Sequence, residues 1–166
     1  MTLVESADNR RSNPLDTVEN LVAMQDWPFD RSSEDEINLS VSGKWADYQV
    51  SFTWRDDLEG LHLACTFDMK VPHQRRAEVG RLLGRINEHL WLGHFDLWVE
   101  EGVILYRYGL LLTGGATVSV SQCEAMLKLA LETSERYYPS FQYAIWAGKT
   151  ADEAMEAALF ETAGEA

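Results

Sequence analysis

The stretch Asp47-Tyr48-Gln49-Val50-Ser51-Phe52-Thr53-Trp54 alternates polar and apolar side chains without a break. Successive side chains of a strand point to opposite faces, so the run describes a strand with one face buried and the other wet. Downstream, Asp56-Asp57-Leu58-Glu59-Gly60 reads as a hairpin loop, and Leu61, Leu63, Cys65, Phe67 and Met69 continue the alternation against His62, Ala64, Thr66 and Asp68. Upstream, Ile37, Leu39 and Val41 alternate with Asn38, Ser40 and Ser42, and Gly43 closes that run; Arg31 to Glu36 before it reads as a charged turn. Three strands joined by short connections predict an antiparallel meander.

Helical signals flank the meander. Asn13 followed by Pro14 is an N-cap and first-turn pair, and Leu15, Val18, Leu21 and Val22 recur at helical spacing up to about Asp26, before Pro28. Residues 1–12 are polar and unpatterned and read as a mobile tail. Beyond the third strand, Pro72 opens a helix expected from about His73 to Leu92, with Val79, Leu82, Leu83, Ile86 and Leu90 on one stripe. Gly93 ends it. Phe95, Leu97 and Val99 then form a fourth strand, and Glu101-Gly102 turns into a fifth, Val103 to Leu112, whose apolar residues fall on both parities, which suggests a central or doubly covered position and makes it the best candidate for the heart of the sheet. Ser119 with Gln122 offers a capping box for a helix carrying Met126, Leu127, Ala130 and Leu131, expected to stop at Tyr137 or Tyr138 ahead of Pro139. Thr150-x-x-Glu153 starts an alanine-rich terminal helix with Met155, Ala158 and Leu159.

The reading is an α+β domain over residues 13–166, with a five-stranded antiparallel sheet, helices packed on it, and a helical extension from about residue 150. The element order is α-β-β-β-α-β-β-α(-α).

With 166 residues, 46% apolar and 25% charged, the chain is long enough for one core and too apolar for intrinsic disorder. Its net charge of −13 repels the phosphates that dominate nucleic-acid affinity and disfavours anionic lipid surfaces. No apolar stretch approaches a membrane span, and the N-terminus has no secretory h-region, so a cytoplasmic protein is expected. Cys65 and Cys123 lack the spacing of a zinc or redox motif and are read as reduced, buried thiols.

The element order is that of the type III secretion chaperone-like fold. The helix, the Pro28-Phe29 entry into the meander, the segment Asn87-x-x-Leu90-x-x-Gly93-His94-Phe95-Asp96 and the later Val103-x-x-Tyr106-Arg107 together resemble the YbjN-domain family over roughly residues 14–147. The resemblance implies a regulatory or chaperone-like protein, often dimeric, with no catalytic residues to carry over. The helix from 151 onward lies outside the shared core.

No motif points to catalysis, a metal or a cofactor. His89 and His94 flank Trp91 with Asp96 beyond, but the spacing crosses a helix end and lacks the i, i+4 geometry of a helical metal pair. Gly114-Gly115 lacks the Lys-Ser/Thr of a phosphate loop, and the carboxylates Asp56, Asp57, Glu59, Glu100 and Glu101 read as exposed hairpin tips.

The central helix says more. Ala77, Gly80, Gly84 and Trp91 cluster about a third of a turn from its apolar stripe. A glycine inside a helix costs about 0.5–1 kcal/mol relative to alanine, so the pair asks for a close backbone neighbour. That neighbour is either a second subunit's helix or the terminal helices of the same chain. Arg75, Arg76, Arg81 and Arg85 crowd onto the same helix, either as a patch for an acidic peptide or as a solvated face paired with Glu78 and Glu88. Six tryptophans and six tyrosines exceed the needs of a modest core, and Trp45, Trp54, Trp98 and Trp146 are candidates for a protein-binding surface. The expected function is a chaperone-like or regulatory, non-enzymatic homodimer that binds a protein or peptide; the alternative is a small-molecule or acyl-group enzyme with a pocket between sheet and helix.

Overall fold

The computed structural model describes residues 13–164, and side-chain surroundings through residue 158. The tail expected over residues 1–12 lies outside the described residues. Helix α1 spans Pro14–Met24, and the Asn13 carboxamide accepts from the Leu15 N–H at 2.9 Å as its N-cap. Six strands follow, interrupted by one helix: β1 (Phe29–Ser33), β2 (Glu36–Ser42), β3 (Asp47–Arg55), β4 (Gly60–Lys70), α2 (Arg76–Asn87), β5 (His94–Trp98) and β6 (Val103–Leu111). Helices α3 (Val120–Ile145) and α4 (Ala151–Gly164) complete the chain.

The sheet is antiparallel throughout, in the order β1-β2-β3-β4-β6-β5. It therefore has six strands where five were expected. The additional strand is β1, which runs from Phe29 into what reads as a charged turn. Its side chains are exposed or half-exposed, so no alternation marks it. Backbone pairing to β2 (Phe29 with Leu39, Asp30 with Asn38) and Arg31, which bonds Asp16 and Glu19 of α1 at 2.8 Å each, hold it in place.

A second expectation also falls. Strand β6 lies between β4 and the edge strand β5, so the middle of the sheet is β3 and β4. Of β6's outward parity only Leu105 is buried; Val103 and Arg107 are half-exposed, and Gly109 and Leu111 are exposed. Its two apolar parities do not signal a covering layer on both sides.

The helices occupy one face of the sheet, α1 on β2 and β3, and α3 on β4 and β6, while α2 packs on β5 and α4 against α2 and α3. Tyr48, Phe67, Phe141, Phe95 and Tyr106 form a chain of ring contacts at 5.2–5.9 Å that ties β3, β4, α3, β5 and β6 together. Each such pair is worth about 0.5–1.5 kcal/mol beyond its buried area.

Helix boundaries depart from expectation for identifiable reasons. Helix α3 does not stop before Pro139 but runs through it. Proline in a helix interior costs about 3 kcal/mol. Phe141, Ala144 and Ile145 are buried beyond it, and burial of that size offsets the cost. Helix α2 is shorter than His73 to Leu92: a 3-10 turn, His73–Arg75, precedes it, and it ends at Asn87, whose side chain is engaged with β5. At the start of α4, the Thr150 hydroxyl accepts from the Glu153 N–H at 3.2 Å and Glu78 accepts from the Ala151 N–H at 2.6 Å. Ala151, Ala154, Met155 and Ala158 are buried.

Candidate functional site

Val79, Leu82, Leu83 and Ile86 of α2 are buried, and Ala77, Gly80 and Gly84 face solvent on the far side of the helix. A Cβ built on Gly80 or Gly84 meets no atom within 4 Å. Helix α4 touches α2 along a different line, through Glu78 and the ion pair between Arg85 and Asp152. Among the described residues, no part of the terminal helices approaches the small-residue face. Trp91 does not share the helix; it sits in the loop after Asn87 and is 99% exposed.

The arginine cluster dissolves into separate contacts. Arg75 donates to the carbonyls of Ala144 and Lys149 at 2.8 and 2.6 Å, Arg76 to those of Val71, Val99 and Glu100, and Arg81 bonds Glu78 at 2.8 Å. Arg75 thereby places a cation on the negative end of α3.

The four candidate tryptophans separate into three places. Trp54 is 7% exposed and belongs to the core, because position 54 shares the inward parity of Tyr48, Val50 and Phe52; it is not a surface residue. Trp98 is half-exposed at the end of β5. Trp45 and Trp146 come together. With Pro139, Gln142, Tyr143 and Ala147 they line an open groove of about 370 Å³. Trp45, Tyr143 and Trp146 are 39%, 43% and 61% exposed.

The groove is built by docking the β2–β3 hairpin tip on α3. The Gly43 N–H donates to the Ala46 carbonyl at 2.8 Å, and the Lys44 N–H donates to Glu135 Oε1 at 2.6 Å. A side chain at residue 43 would collide with that carboxylate and with the Tyr48 ring, so glycine alone lets the tip close on the helix. Lys44 Nζ lies 4.9 Å from the centre of the Trp45 ring. At the other end, the Trp146 N–H donates to the Gln142 carbonyl at 2.8 Å and the Lys149 N–H to that of Tyr143 at 3.0 Å. Pro139, Tyr143 and Trp146 share one stripe by their i, i+4, i+7 spacing. Reading the proline as a stop conceals it.

A polar cluster occupies the sheet face opposite the helices. Arg107 donates from Nε to His62 Nε2 at 3.1 Å and from Nη1 to Asp96 Oδ2 at 3.2 Å, with His94 directly across the strand pair. Burial holds the His62 imidazole below its usual range, and the charges of Arg107 and His94 push the same way. Among the described residues no group of three His, Cys, Asp or Glu side chains is placed to hold a metal ion.

The Gly114 amide donates to Glu59 at 3.1 Å, and Asp57 pairs with Arg55 at 2.6 Å, which lowers its pKa. Cys65 and Cys123 are free and buried; burial pushes their thiols up to about 12 and about 11. A cavity of about 300 Å³ between β6 and α3 is lined by Leu92, Tyr108, Leu110, Gln122, Ala125, Met126 and Leu129, without a histidine or carboxylate. No helix among the described residues is long and apolar enough to cross a membrane.

The family model for YbjN, described as "Putative bacterial sensory transduction regulator", matches residues 14–143, and the chain belongs to that family. Among solved structures, a chain of the ExsC–ExsE complex aligns with a TM-score of 0.55 at 18% identity, covering 73% of this chain and 87% of that one. YbjN from E. coli, described as "a putative transcription regulator", aligns with a TM-score of 0.53 at 12% identity, covering 72% and 84%. At these identities the likeness is one of fold. No curated protein matches the chain.

Proposed function

We propose that this member of the YbjN family is a cytoplasmic, non-enzymatic regulatory or chaperone-like module that works as a homodimer and binds a protein segment. The observation that carries the reading is the solvent-facing stripe of Ala77, Gly80 and Gly84 on α2, with open space above both glycines. Two helix-interior glycines cost about 1–2 kcal/mol together relative to alanine, and nothing among the described residues packs on them to offset that cost. A second α2 laid across the stripe would do so, because the missing side chains let two backbones approach closely.

Residues 13–166 then act as one folding unit, with α4 bracing α2 through Glu78 and Arg85. The likeness to a chain of a two-protein complex agrees with a binding role. A catalytic reading has less support, since burial quenches both thiols and the cavity between sheet and helix carries no acid or base.

Disulfide trapping tests the proposed contact. Gly80→Cys, oxidised in solution, is expected to give a covalent dimer, because symmetric helices crossing at the stripe bring the two Cα atoms within about 7 Å. Cys65 and Cys123 are buried and do not compete. A chain that stays monomeric under oxidation, while remaining folded, overturns the α2 interface.

A further inference from the structure

We infer that the sheet face opposite the helices carries a proton-gated site for a small tetrahedral oxoanion of the phosphate and sulfate class, formed by Arg107, His62 and His94. The inference goes beyond the protein-binding reading and does not depend on it.

The strand register brings the three side chains together. Strand β6 lies between β4 and β5, and its outward residue Arg107 stands across from Ala64 on one side and His94 on the other. His62 lies two residues before Ala64 on the same face of β4, opposite Gly109. Ala64 and Gly109 rise little above the backbone and leave a low floor beside the longer side chains; a Cβ built on Gly109 meets no atom within 4 Å. The two histidines flank this floor from strands about 10 Å apart. The Arg107 side chain is 38% exposed, so its guanidinium is open to a small solute.

The wiring of Arg107 supplies the gate. Nε donates to His62 Nε2, Nη1 donates to Asp96, and Nη2 makes no bond among the described residues. A neutral imidazole accepts at one nitrogen alone, so the Arg107 bond places the His62 proton on Nδ1. Protonation turns Nε2 into a donor and ends that bond. Nε and Nη2 form one parallel pair of the guanidinium fork, the arrangement that grips an oxoanion, and acid frees it. Asp96 does not take the vacated place: its Oδ1 accepts from the Leu97 N–H at 3.0 Å and its Oδ2 holds Nη1, which ties it to the other end of the guanidinium.

Charge works in the same direction. With both imidazoles protonated, three cations face the single carboxylate of Asp96, on a chain whose net charge is −13. The other charged groups of this face are engaged or distant. Glu36 lies two strands from His62, across Thr53, and bonds Asn38 at 3.1 Å; Arg55 pairs with Asp57; Asp68 and Lys70 stand beyond Thr66 toward the end of β4. Burial, Arg107 and His94 all disfavour the His62 imidazolium, so the site opens on the acid side of the usual imidazole range. A bound anion favours the imidazolium, and by linkage proton and anion bind cooperatively. Donors from β4, β5 and β6 approach from three directions, which a tetrahedral oxoanion meets with separate oxygens and a carboxylate, with two, does not. A lipid headgroup is a poor source of the anion, because the net charge disfavours docking on an anionic membrane surface.

The test titrates the full chain with sodium sulfate at pH 5.5 and 7.5, with chloride holding the ionic strength constant. Sulfate stays a dianion across that range, so a change in affinity belongs to the protein. The imidazole ring signals of His62 and His94 in NMR spectra provide the readout, because sulfate stabilises folded proteins generally and a melting shift would not locate it. The expected result is saturable displacement of both ring signals at pH 5.5, with sulfate at least tenfold weaker at pH 7.5 and acetate at least tenfold weaker than sulfate. Arg107→Lys keeps the charge and loses the fork, and should bind at least tenfold more weakly at pH 5.5. His62→Gln accepts from Arg107 at both pH values and should lose most of the difference between them; circular dichroism establishes that both variants fold.

No saturation at pH 5.5, or saturation that leaves both ring signals unmoved, overturns the site. Equal affinity at the two pH values, or a pH difference that survives His62→Gln, overturns the gate. Acetate binding as tightly as sulfate overturns the tetrahedral class, and Arg107→Lys binding like the wild type overturns the fork.

Discussion

The side-chain amide of Asn87 bonds both backbone groups of Phe95: Oδ1 accepts from the Phe95 N–H at 2.8 Å, and Nδ2 donates to its carbonyl at 3.0 Å. Phe95 sits on β5, an edge of the sheet, where alternate backbone groups have no strand to pair with. A carboxamide carries a donor and an acceptor in one fork, so Asn87 replaces one rung of a missing strand. Asp96 Oδ1 accepts from the Leu97 N–H at 3.0 Å and satisfies the next outward amide. Helix α2 ends where it does because its last residue is spent on this bond, and the β5 edge is guarded against strand addition.

Asn87→Ala is expected to destabilise the fold by about 1–3 kcal/mol, the worth of two part-buried hydrogen bonds and the groups left unpaired. Urea denaturation gives the loss, and amide hydrogen exchange should show Phe95 losing protection before the β3–β4 amides. Asn87→Asp keeps the acceptor but not the donor and should fall between. A variant as stable as wild type, with Phe95 still protected, contradicts this role.

Gly43→Ala should cost about 1–3 kcal/mol through overpacking against Glu135 and the Tyr48 ring. The hairpin tip would lift from α3, and Trp45 emission would shift to the red. Because Gly43 and Glu135 meet at one point, pairing Gly43→Ala with Glu135→Ala should be clearly less destabilising than the sum of the single changes. Strict additivity would mean that the tip does not rest on Glu135.

The His62 imidazole has its pKa lowered in the folded state, chiefly by burial. Below the unfolded value near 6.5 the unfolded chain binds this proton more readily than the folded one, so stability falls as the pH drops through and below that value. Protonated His62 also cannot accept from Arg107. Denaturation midpoints at pH 7.5 and 5.5 should therefore differ, with the acid value lower. His62→Gln, which keeps an acceptor and does not titrate, should narrow the gap; an unchanged gap assigns the pH dependence elsewhere.

Much of this architecture can be read from the residues. The alternation in β3 and β4 is plain because one face of each is buried and the other is wet. The caps at Asn13 and Ser119 form as their residue types demand. Strand β1 escapes because an edge strand with both faces exposed carries no hydrophobic period. The course of α3 escapes because a local rule about proline is overridden by burial of Phe141, Ala144 and Ile145, which only the tertiary fold supplies.

The groove is half-visible. Trp45 and Trp146 can be singled out by type, but 101 positions apart nothing joins them until Glu135 docks the hairpin on the helix. Trp54, chosen for the same reason, belongs to the buried parity of its own strand, a pattern already present in the sequence. The small-residue face of α2 is legible as a period; that it is open to solvent follows only from where α4 packs.

Sedimentation equilibrium of the wild type beside a Gly80→Leu, Gly84→Leu variant tests the dimer most directly, with circular dichroism to establish that both fold. An added Cβ meets no described atom within 4 Å at either position, and leucine is the better helix former, so each variant protomer is expected to fold. The wild type is expected to be a dimer and the variant a folded monomer. A wild type that is monomeric at all accessible concentrations, or a variant that dimerises as strongly as wild type, contradicts the α2 interface.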